Sequence, residues 1–441
     1  MSWWDALPHL GEYAVVVAGS GSAGSSAAIA SARLGARTLV VEKLPFLGGN
    51  STAVLDTFYG FYVPGSTGAK IVGGVGDRVV AGLRGLGAVV GRPNTYGAGT
   101  GVTYNSEHLK VVWESLVRDA GVSVLLHSFI QDVEVHDGRL SRILLATKSG
   151  LAVVETSVIV DATGDADVSA YAGWGYEQAG AIDPAQTLTT TFRLVGVNMD
   201  ERRTIGKDRL HELMREAAAD GYDLPRREGS DHITPVPGMT ATVMTRLDSV
   251  TTAADGTLTT TADPFFLSAA EQEGRRQALE YSRFLIDRVP GYSAASIIAL
   301  SSQVGIRETR RVYGDYRVTR DDVLGARQFD DQIALCGAPI EDHHGGDGTN
   351  WEYLPDGSAV GIPLAALVVR DASNALVAGR CFSATHDAHA SIRSMAQCMA
   401  MGQAAGTTAA LAARGSGDVR EVSASSVRDQ LRADGAVLEM P

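Results

Sequence analysis

The stretch THDAHASIR, Thr385 to Arg393, combines residue types that can do chemistry. It holds two histidines three residues apart and an arginine four residues after the second. On a helix, His386, His389 and Arg393 share one face, because positions i, i+3 and i+7 lie above one another. Such a group can ligate a metal ion, move protons and hold anions over a cofactor, or form part of a polar surface. The elements that position the stretch decide between these uses.

A metal site would need further ligands. His343 and His344, in APIEDHHGGDG, could join the two helical histidines in a histidine-rich site. The spacing is not a standard zinc signature, and short motifs often match by chance. We therefore predict no metal site.

The bulk composition is typical of a globular protein with an acidic surface. Of its 441 residues, 45% are hydrophobic and 20% are charged, and this length makes two domains the default. The 51 acidic and 38 basic residues give a net charge of −13. This charge argues against nucleic acid or an anionic membrane as the main partner.

Cysteine usage and the N-terminus bear on the compartment. Cys336, Cys381 and Cys398 form no CxxC pair, which excludes a disulfide framework and a cysteine-ligated iron–sulfur cluster in this chain. The N-terminal MSWWDALPHLGEY lacks the basic and apolar regions of a cleavable signal. No uninterrupted apolar run has the length of a membrane span. We predict a cytoplasmic protein with no membrane partner.

The N-terminal segment has the pattern of a dinucleotide site. A short apolar strand leads into G-x-G-x-x-G at Gly19, Gly21 and Gly24. An alanine-rich helix follows, and then a second strand that ends at Glu42. The strands, glycines, helix and acidic residue are all in register, which makes a chance match improbable.

Each part of this pattern has a physical role. Gly19 permits the tight turn, Gly21 lets the backbone reach a pyrophosphate, and Gly24 lets the helix pack on the sheet. The positive helix N-terminus faces the phosphates. Glu42 accepts hydrogen bonds from the ribose hydroxyls, which makes NADP, with its 2′-phosphate, the least favoured dinucleotide. The contacts predicted from this segment are Gly19, Gly21, Ser22, Ala23, Gly24, Glu42 and Lys43.

The residues after Glu42 favour FAD over NAD. LPFLGGNST stands where a plain NAD domain would start another helix. This part of the chain resembles FAD-dependent oxidoreductases whose glutathione-reductase-like nucleotide domain continues into a glycine-rich loop beside the flavin. The resemblance implies that the loop contacts the pyrophosphate and the flavin ring through Gly48, Gly49, Asn50 and Ser51.

Later segments strengthen the resemblance. SVIVDATGDADVSAYAG is an apolar strand that runs into Ala-Thr-Gly-Asp, and NALVAGRCFSATH is another that ends in Gly-Arg. With GIRETRRVYGDYRVTRDDV and CMAMGQAAGTTAALAA, they make the chain similar to the FAD-dependent oxidoreductase family that is distantly related to fumarate reductase flavoprotein subunits. The similarity runs from residue 14 to about 413 and is weakest between 175 and 290. It implies FAD contacts at Ile130, near the adenine, and at Ala162, Gly164, Asp165, Gly379 and Arg380.

The predicted fold class is α/β. It consists of a glutathione-reductase-like (Rossmann-type) FAD-binding domain, discontinuous in sequence, with an inserted mixed α+β substrate domain. The FAD-binding domain is predicted at 1–173 and 361–413, the substrate or cap domain at 174–360, and a C-terminal tail at 414–441. A second complete G-x-G-x-x-G does not occur in the sequence, so a separate NAD(P)H-binding domain is not expected.

The histidine stretch lies between a strand ending in Ala-Gly-Arg and an apolar helix, where the resemblance implies residues that face the isoalloxazine ring. We therefore favour proton and anion handling over a flavin by His386, His389 and Arg393. A helix that begins near Ser391 would aim its N-terminus at the flavin N1/C2 carbonyl.

Arg307, in the GIRETRR stretch, is the second predicted anion anchor. In this family the stretch is a hallmark, and fumarate-reductase-like sites hold a substrate carboxylate with arginine and histidine. A guanidinium holds a carboxylate through two hydrogen bonds, which fixes the orientation of a substrate. Arginine faces of this kind are more often solvated or paired, and Glu308 is an obvious partner.

The leading functional hypothesis is an FAD enzyme that moves a hydride between flavin N5 and a small polar or anionic substrate, in the oxidising direction, as a dehydrogenase or oxidase. The electron acceptor stays open between oxygen, a quinone and a protein, and a homo-oligomer is allowed. Two redox alternatives are a fumarate-reductase-like C=C reductase and the flavoprotein subunit of an electron-transfer complex. A flavoenzyme without net redox, which would turn over without an external acceptor, and a metal hydrolase, which would lack flavin colour, are the others.

Overall fold

The computed structural model describes residues 3–87, 89–94, 96–344 and 348–440. Short 3₁₀ turns lie at Trp3–Ala6, Leu364–Ala366 and Val419–Glu421. The helices of these residues, in chain order, are α1 (Ser22–Arg33), α2 (Asn50–Ala53), α3 (Val75–Gly85), α4 (Ser106–Asp119), α5 (Asp167–Tyr171), α6 (Met199–Arg202), α7 (Lys207–Ala219), α8 (Pro264–Arg288), α9 (Arg320–Leu324), α10 (His386–Ile392), α11 (Met395–Ala413) and α12 (Ala424–Ala433).

Most strands are short, and the longest ones belong to the central sheet. In chain order they are β1 (His9–Ala18), β2 (Thr38–Val41), β3 (Thr57–Phe58), β4 (Val89–Pro93), β5 (Thr100–Tyr104), β6 (Ser123–Leu125), β7 (Phe129–His136), β8 (Arg139–Thr147), β9 (Gly150–Asp161), β10 (Tyr176–Gln178), β11 (Phe192–Val195), β12 (Ser230–Ile233), β13 (Thr240–Val243), β14 (Val250–Thr252), β15 (Leu258–Thr260), β16 (Ser296–Leu300), β17 (Arg310–Val312), β18 (Gln332–Cys336), β19 (Ile340–Asp342), β20 (Asn350–Glu352), β21 (Val360–Pro363) and β22 (Ala375–Val377).

The central sheet is mixed. Its parallel part has the strand order β6, β2, β1, β9, β22, and β7 and β8 join β9 as an antiparallel meander. Val16 pairs with Ile159, and both are fully buried, as expected of parallel strands covered on both faces. The α/β Rossmann-type fold predicted from the sequence is confirmed.

The turn between β7 and β8 follows from two residues. Asp137 and Gly138 connect the strands with φ angles of 49° and 73°. Positive φ at both positions is what a two-residue type I′ hairpin needs, and Asp-Gly is a favoured pair for it.

Helices α1 and α11 pack on one face of the central sheet with their backbones in contact. A Cβ on Gly402 would lie 2.0 Å from the Ala23 carbonyl oxygen, and one on Gly406 would lie 2.1 Å from that of Ala27. Only glycine allows this approach, so the alanine- and glycine-rich sequence of both helices is a packing requirement. Among the described residues, no helix has the length and apolar character of a membrane span.

A second, antiparallel sheet has the strand order β12, β13, β11, β16. Its hydrophobic cluster brings Phe192 and Leu194 of β11 together with Met214 of α7 and Phe284 of α8. This part of the chain, where the family similarity is weakest, therefore has a core of its own.

The hydrophobic clusters do not follow the predicted domain limits throughout. Val318, Ile333 and Val360, from the predicted substrate domain, are buried in the same cluster as Val15 of β1. Leu431 of the predicted tail is buried there too. The limits themselves stay a prediction.

Gly402→Ala should weaken the contact between α1 and α11. The new Cβ would overlap the Ala23 carbonyl oxygen, so we expect the free energy of unfolding to fall by about 2 kcal/mol. Gly85→Ala is the matched control, because Gly85 is also helical but an added Cβ meets nothing within 4 Å. This control should be neutral or stabilise by up to about 1 kcal/mol. Urea unfolding compares the two variants, and equal effects would contradict the packing argument.

Candidate functional site

One cavity lies at the carboxyl ends of four parallel strands. Gly19 follows β1, Glu42 follows β2, Ala162 follows β9 and Ala378 follows β22, and all four residues line it. Ligands bind at this edge in open α/β sheets, because the loops and helix N-termini there leave polar backbone groups free.

Most of the predicted cofactor contacts meet in this cavity. The exceptions are Gly24 and Gly48, which pack behind its wall: a Cβ would lie 1.9 Å from Gly19 O and 2.6 Å from Thr52 Cγ2, respectively. The predicted contacts that line the cavity are Gly19, Gly21, Ser22, Ala23, Glu42, Lys43, Gly49, Asn50, Ser51, Ile130, Ala162, Gly164, Asp165, Gly379 and Arg380. Their roles in binding stay predictions.

The N-terminus of α1 suits a phosphate. Its N-cap, Gly21, makes no side-chain cap, and the first turn carries no acidic residue. The first amides of the helix therefore keep hydrogen-bonding capacity for an anion. A Cβ on Gly21 would meet nothing within 4 Å, so the backbone borders open space. These features fit the pyrophosphate of a dinucleotide.

Glu42 is held in place by the backbone around it. Its Oε2 accepts hydrogen bonds from the amide (2.8 Å) and hydroxyl (2.6 Å) of Ser20, and its Oε1 accepts one from the amide of Leu44 (2.9 Å). A carboxylate has about four lone-pair sites, so capacity for ribose hydroxyls remains. The role of Ser20, which stands at an unspecified position of the glycine motif, was not predicted.

A charged cluster follows β9. Asp165 accepts hydrogen bonds from Arg380 (2.7 Å) and from the Thr309 hydroxyl (3.0 Å), and Lys43 lies 3.9 Å away. Burial alone would raise the pKa of Asp165, but the charges of Arg380 and Lys43 outweigh it and lower the pKa. Asp167 behaves in the opposite way, since burial and the nearby charge of Asp165 raise its pKa to about 6. Asp167 also lines the cavity. It is the second aspartate of ATGDAD, and no other feature of the sequence indicated that it belongs to the site.

Arg307 and Arg393 line the part of the cavity near Asn50 and the start of α11. Arg307 donates to the Thr187 carbonyl oxygen (2.7 Å), and Arg393 donates to Gln186 Oε1 (2.8 Å). Within the described part of the chain, no carboxylate oxygen lies within 4.0 Å of a nitrogen of either guanidinium, so neither arginine forms an ion pair. Burial and the charge of Arg393 lower the pKa of Arg307 to about 9, and burial also lowers the pKa of Arg393.

The two histidines lie behind the cavity wall, so the expectation that they face the cofactor needs correction. His389 is fully buried, donates from Nε2 to the Arg380 carbonyl oxygen (2.7 Å) and stacks on Phe382. Burial, with the charges of Arg311 and Arg393, holds the pKa of His389 well below its ordinary value, so the ring is neutral.

His386 belongs to a buried chain of charged groups. Its Nδ1 lies 3.0 Å from Glu308 and its Nε2 lies 3.2 Å from Asp342. Glu308 also pairs with Arg311, which pairs in turn with Glu177. These contacts occupy both ring nitrogens, and His386 does not line the cavity. Among the described residues, no group of three metal-ligating side chains is arranged around a common point.

The helix predicted to begin near Ser391 begins at Met395. Ser391 belongs to α10, and Arg393 lies at the break between α10 and α11. The first turn of α11 has no side-chain cap and no acidic residue, and Met395 and Cys398 line the cavity. A positive helix end therefore reaches the cavity, four residues later than predicted.

The side of the cavity that comes from the predicted substrate domain was not predicted in detail. Leu267 and Glu271 of α8 line it, together with Thr189 and the run from Gln303 to Ile306. Of these residues, only the run from Gln303 to Ile306 could have been expected at the site, because it directly precedes Arg307 in the sequence.

Comparison with known proteins gives a family and a set of distant structures. The sequence model of a family described as FAD dependent oxidoreductase matches residues 14–431. No curated protein sequence matches significantly. A geranylgeranyl bacteriochlorophyll reductase-like protein from Thermoplasma acidophilum is similar in structure, with 13% identity, coverage of 96% of this chain and 83% of that chain, and a TM-score of 0.47.

Two hydroxylating enzymes are similar to the same degree. OxyS anhydrotetracycline hydroxylase from Streptomyces rimosus has 13% identity, coverage of 96% of this chain and 65% of that chain, and a TM-score of 0.46. The p-nitrophenol 4-monooxygenase PnpA from Pseudomonas putida DLL-E4 has 12% identity, coverage of 95% and 83%, and a TM-score of 0.46.

Gly21→Val should abolish cofactor binding while the fold survives. Gly21 has an ordinary φ of −57° and open space where the side chain would project, so we expect a stability loss of no more than about 1 kcal/mol. The valine would occupy the cavity, and the purified variant should carry no flavin absorbance. Gly91→Val, in β4 with equally open space, should keep wild-type absorbance. A Gly21→Val protein with a full complement of flavin would refute the assignment of the cavity.

Asp167→Asn should change how stability depends on pH. The folded-state pKa, about 6, lies above the ordinary 3.8, so folding favours the protonated carboxyl. Its stabilising contribution is therefore full below about pH 4 and is lost as the pH rises through about 6. Thermal unfolding of the apoprotein should show the variant gaining stability relative to the wild type between these values. Asp200→Asn, whose wild-type side chain is 96% exposed, should show no such trend, and a flat difference for Asp167→Asn would contradict the prediction.

Proposed function

The chain belongs to the FAD-dependent oxidoreductase family, and we propose that it exchanges a hydride with a small anionic substrate held by Arg307 and Arg393. When bound, FAD supplies a ring system that accepts or gives up a hydride. The protein residues hold and orient the other reactant. Oxidation of the substrate is the direction that we propose.

The observation that carries this proposal is a pair of neighbouring arginines that form no ion pair among the described residues. Both line the cavity, and neither forms an ion pair with a carboxylate of the described residues. Both side chains are half-buried, and charges withdrawn from water are normally paired, because the loss of hydration is costly. A substrate carboxylate would supply the missing charge through two parallel hydrogen bonds per guanidinium.

Adjacent residues hold the two arginines. The Thr187 carbonyl oxygen accepts from Arg307, and the side-chain oxygen of Gln186 accepts from Arg393. The backbone N–H of Gln186 donates in turn to Glu308 (3.2 Å). One short segment therefore orients both guanidinium groups. This arrangement supports a fixed position for the substrate, which lowers the entropy cost of reaching a reactive geometry.

The finer parts of the proposal rest on the sequence alone. A relation to fumarate reductase flavoprotein subunits would suit an arginine pair that holds a carboxylate substrate. The cytoplasmic location and a homo-oligomer also stay predictions.

Arg393→Lys should damage substrate handling and spare the cofactor. Lysine keeps the charge but loses the planar fork, so we expect kcat/KM to fall by about 100-fold with an unchanged flavin spectrum. The measurement is anaerobic bleaching of the flavin by a panel of small carboxylates and by neutral alcohols and amines of the same length. Reoxidation of chemically reduced flavin by unsaturated acids tests the opposite direction.

The control for this variant is Arg320→Lys. Arg320 is 44% exposed and pairs with Glu352 at the surface, so its replacement should leave the kinetics unchanged. The proposal would be contradicted if only neutral compounds bleached the flavin, or if the Arg393→Lys enzyme kept the wild-type kcat/KM.

A further inference from the structure

We infer that the arginine pocket takes an anion that also carries an amine, and that Glu341 binds the ammonium group. This inference rests on the proposed function, since it extends the same site. It narrows the substrate class from small anions in general to amino-bearing carboxylates.

Glu341 is an acidic residue next to Arg393. It lies in β19, and its backbone carbonyl accepts a hydrogen bond from Arg393 (3.3 Å). Its carboxylate forms no ion pair with an arginine of the described residues, and its hydrogen-bond partner among them is His343 Nε2 at 3.0 Å. The side chain remains 39% exposed. The carboxylate is therefore accessible to a ligand.

His343 does not neutralise this carboxylate. The Thr349 hydroxyl lies 3.0 Å from His343 Nδ1 and can donate to it, which leaves Nε2–H to donate to Glu341. Burial and the charge of Arg307 lower the pKa of His343 to about 3, so the ring is neutral. Burial would raise the pKa of Glu341, but the electrostatic interaction and the hydrogen bond with His343, together with the charges of Arg393 and Arg307, lower it to about 2. An ionised carboxylate thus faces accessible space with a neutral partner.

The surface next to Glu341 is aromatic. Trp351 pairs with Glu341 across β19 and β20, so the two side chains lie on the same face of the hairpin. Tyr96 and Tyr353 stack on Trp351 with ring centroids 5.4 Å and 6.2 Å away. Aromatic rings attract cations, and Lys207 already places its ammonium group 4.5 Å from the centroid of the Tyr96 ring. A carboxylate beside such rings suits an ammonium group, including an alkylated one.

The balance of charge distinguishes this class from simple dicarboxylates. Burial and the positive charges of Arg393, Arg226 and Arg246 lower the pKa of Arg307, whereas the negative charge of Glu341 raises it. Arg307 and Arg393, which form no ion pair with a carboxylate of the described residues, favour a carboxylate on the ligand. A second carboxylate placed at Glu341 would be repelled, whereas an ammonium group there would be attracted.

Calorimetric titration of the FAD-loaded protein under anaerobic conditions tests this inference. The probes are matched pairs that differ by the amine, namely 4-aminobutanoate with butanoate and glycine with acetate. We expect the amine-bearing member to bind at least about tenfold more tightly to the wild type. Glu341→Gln should remove this preference and retain the binding of the plain carboxylates. Glu352→Gln, on the partner strand of the same hairpin, should keep the wild-type preference.

The outcomes separate the two proposals. Equal affinity for both members of a pair in the wild type, or a preference that persists in Glu341→Gln, would overturn the role of Glu341 and leave the arginine site standing. If neither member binds and Arg393→Lys changes nothing, the arginine site fails and the inference falls with it. Glu341→Asp keeps the charge and should keep a preference, so it serves as the test if the glutamine variant does not fold.

Discussion

The backbone contact between α1 and α11 fixes the position of two helix N-termini that open on one cavity. Gly402 and Gly406 bring α11 so close to α1 that a methyl group on either would overlap a carbonyl oxygen. Neither helix has an acidic residue in its first turn or a side-chain cap. Both positive ends therefore stay available to a ligand with negative charge at two separated places, such as a flavin dinucleotide. The small residues along the contact are as much a part of the site as the residues that line it.

The nucleotide half of the site could be predicted because its determinants are local. A tight turn, an uncapped helix start and an acidic strand end are properties of short segments, and the sequence from Gly19 to Glu42 encodes all three. The two glycines that do not line the cavity, Gly24 and Gly48, are needed where backbone and side chains crowd behind it. The role predicted for Gly24, close packing of the helix on the sheet, agrees with its position, whereas Gly48 was predicted only as a contact of the pyrophosphate and flavin ring.

The other half depends on contacts between distant parts of the chain. His386 is held by Glu308 and Asp342, which are 78 and 44 residues away along the sequence. Their carboxylates explain why this histidine is buried instead of facing the cavity. The break between α10 and α11 puts Arg393 into the cavity, although a continuous helical pattern had placed it on one face with the histidines. Glu341 gave no sequence signal, because its significance comes only from the arginines that the fold brings beside it.

The buried chain from Glu177 through Arg311 and Glu308 to His386 and Asp342 restricts how this sequence can diverge. Arg311 and Glu308 have almost no exposed side-chain surface, at 2% and 0%. Removal of one member leaves the opposite charge buried without a partner, which costs about 3–5 kcal/mol, whereas joint replacement by apolar residues of similar volume can be neutral. Drift at these positions must therefore proceed through compensating exchanges, and descendants of one ancestral chain should differ here in matched pairs of residues or not at all.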